Sequence, residues 1–136
     1  MDTTTAAPAI PAAEISSRFP DIDIAEGEVY AGLSRDRDTG TWHHVVLLPS
    51  LPDKDLNWQE AIDWARSMGG ELPTRWESAL LYANCRQTID TNYWYWTASP
   101  YAGDERYAWC QYFDDGCQDY RQDTHFRARA VRRVPV

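Results

Sequence analysis

Four groups of residues in this chain have the types and spacing to do chemistry: histidines, cysteines, clustered aspartates and a long aromatic series. His43 and His44 next to Trp42, with His125 further on, raise acid-base chemistry, because histidine changes charge near neutral pH. Adjacent residues on a strand point to opposite faces, so His43 and His44 are not expected to share a site. Cys85, Cys110 and Cys117 are the only thiols. A nucleophilic cysteine needs a nearby base or positive charge, and the acidic surroundings of Cys110 and Cys117 work against a thiolate. No Ser-His-Asp, Cys-His or paired-carboxylate arrangement follows from spacing, and an enzyme is not expected. Asp114, Asp115, Asp119 and Asp123 could converge on a hard cation, but aspartate is also the ordinary residue of hairpin turns. They are read as solvated turn acids, and neither a metal nor a cofactor is expected.

The aromatic series is the strongest candidate for recognition. The chain has seven Trp and eight Tyr against three Phe, so it favours rings with a polar handle, which suit half-buried positions and binding surfaces. Strand alternation puts Trp94 and Trp96 on one face and Tyr93 and Tyr95 on the other. The expected binding face consists of Tyr95, Tyr101, Tyr107, Tyr112 and Tyr120, with Asp104, Asp114 and Asp115 at its rim.

Two short helices and a set of strands must position these rings. Asn57 with Glu60, and Thr74 with Glu77, each have the spacing of a capping box, in which the cap side chain and the glutamate satisfy early backbone amides reciprocally. The first helix is expected from Trp58 to Met68, with Trp58, Ala61, Ile62, Ala65 and Met68 as its buried stripe and Gly69-Gly70 as its stop. The second is expected to bury Trp76, Ala79, Leu80 and Ala83 and to end near Cys85 or Arg86. Strands are expected around Val29 and from Trp42, forming an N-terminal hairpin, and later from Tyr93 and from Arg106. A two-residue turn at Asp115-Gly116 closes the last hairpin, leaving Cys110 and Cys117 too far apart to bridge. The run from Arg127 to Arg133 reads as a strand whose arginines face solvent. The fold class is α+β, two short helices packed on antiparallel strands and hairpins.

At 136 residues the chain suits one domain, taken as residues 19–136. Residues 1–18, rich in Ala, Thr and Pro, read as an extended arm that adds little to the core. The net charge of −8 argues against nucleic acid as a partner, which needs clustered Lys and Arg. No segment reads as a signal peptide or a membrane span, so the chain is expected to be cytoplasmic when synthesised.

The segment WQEAIDWARSMGGEL (58–72) resembles the first-helix signature of the C-type lectin-like fold. LPTRWESALLYA (72–83), YWYWTAS (93–99), YAWCQYFDDG (107–116) and FRARAVRRV (126–134) resemble, in order, the blocks of the Lcl C-terminal-domain family of bacteria and phages. The resemblance covers residues 42–134 and implies a lectin-like fold with Trp96 and Trp109 in the core. It further implies a phage- or prophage-derived binding module whose partner is a protein or a glycan. Alternatives are a virion or tail component docking or oligomerising through residues 1–18, and an intracellular inhibitor of a host protein. The Leu-Pro-Thr step is also similar to that of formylglycine-generating enzymes, but Cys110 and Cys117 do not map onto their cysteine pair. The calcium-lectin Glu-Pro-Asn, Gln-Pro-Asp and Trp-Asn-Asp triplets do not occur.

Overall fold

The computed structural model describes residues 10–122 and 124–136. Both capping boxes form. The Asn57 side chain accepts from the Glu60 amide at the start of α2 (Trp58–Ser67), and Thr74 accepts from the Glu77 amide at the start of α3 (Arg75–Asn84); each glutamate returns a bond to its cap amide. After α2 the chain turns at Gly69, whose φ of +83° is open to glycine at little cost. Gly70 follows where a Cβ would lie 2.5 Å from the Val131 carbonyl oxygen, so only glycine lets this turn sit against the chain's last strand.

The strands form two antiparallel three-stranded sheets, giving an α+β fold with three α-helices among the described residues. In one sheet β2 (Trp42–Leu47) lies between β1 (Val29–Arg35) and β6 (Val131–Pro135). In the other, β4 (Asp104–Tyr112) lies between β3 (Trp94–Tyr101) and β5 (Gln118–Arg121). Residues 126–131 form the seam between them. Trp96 N–H donates to the Arg127 carbonyl and Arg127 N–H to that of Trp94, while Leu48 N–H reaches Ala130 and Val131 N–H reaches Glu71. The largest core cluster is built on Trp96, fully buried with its Nε1–H donating to the Leu56 carbonyl at 2.7 Å, and on Leu48, Ala61, Ala65 and Leu72. A second gathers Val45, Leu47, Leu81, Cys85, Tyr95 and Phe113 between α3 and both sheets.

Several expectations are corrected. Residues 12–18 are not an extended arm: they form α1 (Ala12–Arg18), and Ile15, 1% exposed, packs with Ile22, Tyr30 and Val46. Ile15, together with the C-cap Phe19, whose ring centroid lies 4.9 Å from that of His44, docks this short helix. Of the rest of that arm, residues 1–9 lie outside the described residues. In α2, Met68 is the exposed C-cap and not part of the buried stripe. In α3 the buried face is Glu77, Ser78 and Leu81, while Trp76, Ala79 and Ala83 are exposed. The helix is turned because the Glu77 carboxylate finds partners inside that an apolar side chain could not satisfy. It accepts from Arg133 Nε and Nη2, both at 2.8 Å, and from His43 Nε2 at 2.6 Å.

The arginines of the last segment do not form a solvated row. Arg133 pairs with Glu77, Arg132 makes two bonds to the Glu28 carboxylate at 2.8–2.9 Å, and Arg129 is 7% exposed. The β4–β5 turn is also longer than expected. Tyr112 N–H donates to the Cys117 carbonyl, so the connection runs from Phe113 to Gly116 because Phe113 is drawn into the core.

Candidate functional site

The β3–β4–β5 sheet brings Tyr101, Tyr107 and Tyr120 together and adds Trp109. Tyr101 and Tyr120 stack with ring centroids 3.8 Å apart and planes 13° from parallel. Tyr107 and Trp109 stand edge-on to Tyr120, at 5.9 and 5.4 Å. Trp109 and Tyr120 are direct cross-strand partners, and Tyr107 lies two residues from Trp109 on the same face. Gly103 sets the Tyr101 ring: a Cβ there would meet ring atom Cε2 at 2.6 Å.

A cation backs the cluster. The Arg75 guanidinium lies 3.5 Å from the Trp109 ring centroid, a cation–π contact, and its Nε–H donates to Gln118 Oε1 at 3.1 Å. Gln118 Nε2 in turn donates to the Arg75 carbonyl and to the buried Gln111 amide oxygen. Arg75, the first residue of α3, is thus fixed by hydrogen bonds from a β5 side chain. Trp109 is not core, as the resemblance implied, but half-buried beneath Arg75. At the rim, Asp104 accepts from Arg106 Nε and Nη2 at 3.0 and 2.7 Å, and those bonds hold its carboxyl down to about 2. Hydrogen bonding to Tyr101 pushes the Tyr120 hydroxyl above its ordinary value, so Tyr120 offers a ring with a donor tip.

The other expected site residues fall elsewhere. Tyr95 is 5% exposed: its hydroxyl donates to the Asp90 carbonyl and its ring packs edge-on to Phe113, so it belongs to the core. The alternation that put Tyr95 opposite Trp94 and Trp96 holds, but its face of the strand meets α3 and not solvent. Tyr112 lies on the opposite side of the sheet from Trp109, paired with Trp94 at 5.3 Å. Asp114 and Asp115 are exposed in the turn beyond Tyr112, away from the Tyr101–Tyr120 stack. Asp119 pairs with Arg121, Asp123 lies outside the described residues, and among those described no three His, Cys, Asp or Glu side chains form a metal-sized group.

The histidines separate as strand geometry requires. His43 donates to Glu77, whereas buried His44 bonds the Tyr30 hydroxyl through Nδ1 at 2.8 Å, and burial lowers its pKa. Burial pushes the Cys110 thiol up to about 12, and its Sγ donates to the Asp119 carbonyl. Cys85 is pushed up to about 11 by burial, and all three cysteines are free.

A second exposed surface was not legible beforehand. Leu33, Trp42 and Trp76 are 44%, 53% and 42% exposed and line one groove with Ala79 and Leu80, edged by Arg35 and Arg37. The Arg37 guanidinium lies 4.9 Å from the Trp76 ring centre. The i, i+3, i+4 pattern of α3 was the available signal, but it reads as burial inward when nothing indicates that Glu77 takes the inner face.

No known family model matches the chain, and neither does any curated protein or solved structure.

Proposed function

We propose that this chain is a non-enzymatic binding module that recognises a protein or a glycan through the face formed by Tyr101, Tyr107, Trp109 and Tyr120. The observation that supports it is the four-ring cluster with Arg75 laid over Trp109, held on three strands by cross-strand pairing and by the Gln118 hydrogen bonds. Rigid rings with hydroxyl tips supply contact area at small entropic cost, and Tyr, Trp and Arg dominate recognition surfaces. The reading takes the α+β architecture as C-type lectin-like and the chain as a phage- or prophage-derived relative of the Lcl C-terminal-domain family, on the sequence blocks described above.

An array of host glycans and surface proteins, probed with the full chain and with Tyr101→Ser and Tyr120→Ser, tests it. A ligand bound by the parent chain and lost at least tenfold in both variants, with the fold retained by circular dichroism, is the expected result. A ligand whose affinity is indifferent to both substitutions overturns the assignment.

A second reading, an assembly component of a virion or tail, is favoured by the Leu33–Trp42–Trp76 groove, since contiguous exposed apolar surface marks interaction sites. Light scattering decides it. A self-associating chain dispersed to monomer by Trp42→Ser supports assembly, and a monomer at all concentrations counts against a homo-oligomer.

A further inference from the structure

Arg129 is buried at the seam between the sheets without a counter-charge. Its Nη1–H and Nη2–H donate to the Thr88 and Leu48 carbonyls at 3.2 and 2.8 Å, while Nε has no partner among the described residues. The charge-bearing groups that act on Arg129 are Tyr95 and Cys85, both neutral at pH 7, and burial raises them further, Cys85 to about 11. No carboxylate forms an ion pair with Arg129 among the described residues. A buried cation in this state is costly unless something anionic reaches it.

Arg129 lines a cavity of about 380 Å³ between the 49–55 loop, Thr88, Tyr95 and residues 127–129. That volume lies in the small-ligand range. Pro49, Leu51 and Ala128 give it an apolar wall, and Leu51 is 67% exposed at its rim. Arg127 is also in the lining but already faces Asp90 at 3.4 Å and Asp55 at 3.9 Å, so Arg129 is the guanidinium left without a carboxylate. Lys54 and Asp53 also line the cavity, so selection of a carboxylate falls to the planar Arg129 fork and the apolar wall.

We propose that this cavity binds a small monocarboxylate with a short branched or linear apolar body, its carboxylate received by Arg129 and its hydrocarbon by the Leu51 and Pro49 wall. The site is separate from the Tyr101–Tyr120 face and does not rest on the reading given to that face. A planar guanidinium offers a carboxylate parallel N–H donors, which a spherical or highly charged anion uses less well.

The test is titration of the full ¹⁵N-labelled chain at pH 7 and constant ionic strength, observing the arginine Nε–H resonances, with three probes. These are 3-methylbutanoate, its neutral isostere 3-methylbutanamide, and inorganic phosphate. The expected result is a saturable shift of the Arg129 Nε–H with 3-methylbutanoate, and binding at least tenfold weaker for the other two. Arg129→Met removes that reporter, so its binding is read from the Thr88 and Ala128 backbone amides and should be abolished. Because that variant also strips donors from two carbonyls, Leu51→Glu at the exposed rim is the second variant, expected to weaken binding at least fivefold with the fold intact. Equal binding of the amide overturns the anion site, and equal binding of phosphate overturns carboxylate selection. A shift that does not saturate, or an affinity unchanged by Leu51→Glu, overturns the cavity as its location.

Discussion

On the β1–β2–β6 sheet, polar and charged side chains find matched partners, Arg133 and His43 on the fully buried Glu77 and Arg132 on Glu28. In the β3–β4–β5 sheet, the rings of Tyr101, Tyr107, Trp109 and Tyr120 are left half in solvent, touching one another and one arginine. A chain that only needed to fold would gain more from burying those rings and leaving the ions in water, because buried ion pairs seldom stabilise more than well-packed apolar groups do. On the reading proposed above, the ion pairs of the first sheet fix the fold and the rings of the second are held for contact with a ligand.

The largest effect belongs to Glu77. Glu77→Ala leaves Arg133 half-buried without its carboxylate, removes the Glu77 half of a capping box and frees His43, so it should destabilise by about 3–5 kcal/mol. Urea unfolding measures it. A cost below 1 kcal/mol would break the comparison, since the first sheet would then hold together without its central ion cluster. The same carboxylate sets an acid limit. Burial alone would raise the Glu77 pKa, but the Arg133 hydrogen bonds and charge, with the Thr74 amide and His43, outweigh it and the net shift is downward. A depressed folded pKa means stability that is complete above the unfolded value of about 4.3 and is lost as pH falls through the folded one. Glu77→Gln should therefore flatten the decline of stability below about pH 4.3 in thermal melts.

A smaller effect sits at the start of α3, where Thr74→Ala removes one capping bond and should cost about 1 kcal/mol. This cap was fully legible in the sequence because both its partners lie within three residues. The same locality made Asn57–Glu60 and the ends of α2 and α3 readable. The face that α3 buries was not, because it depends on Arg133, 56 residues from Glu77. For the same reason the arginine run reads as solvated in the sequence: its partners, Glu28 and Glu77, come from distant parts of the chain. At the candidate site, strand alternation correctly separated Tyr95 from Trp94 and Trp96 and His43 from His44. It could not say which face of β3 would meet α3, so Tyr95 was set among surface rings although it is core. Ile15 carries no signal in the sequence because two isoleucines five residues apart, Ile10 and Ile15, do not mark one helical face.

The smallest effect, and the one that most sharpens the comparison, is on the exposed rings. Tyr101 and Tyr120 stack closely, but Tyr120 is 37% exposed and shares its hydrophobic contact with solvent. A double-mutant cycle with Tyr101→Ala and Tyr120→Ala should return a coupling of about 0.5–1.5 kcal/mol. Each single change should cost only about 1 kcal/mol of stability, well below Glu77→Ala. If either ring instead costs as much as Glu77, the second sheet is as structural as the first and the division disappears. If the stability costs stay small while both substitutions abolish binding of a ligand found on the array, the rings are held in place for contact and contribute little to the fold. The Arg75 guanidinium gives an independent reading of the same point: Arg75→Met keeps an apolar stem over Trp109 but removes the charge and the Gln118 bond. It should leave unfolding nearly unchanged and weaken a ligand that depends on that face.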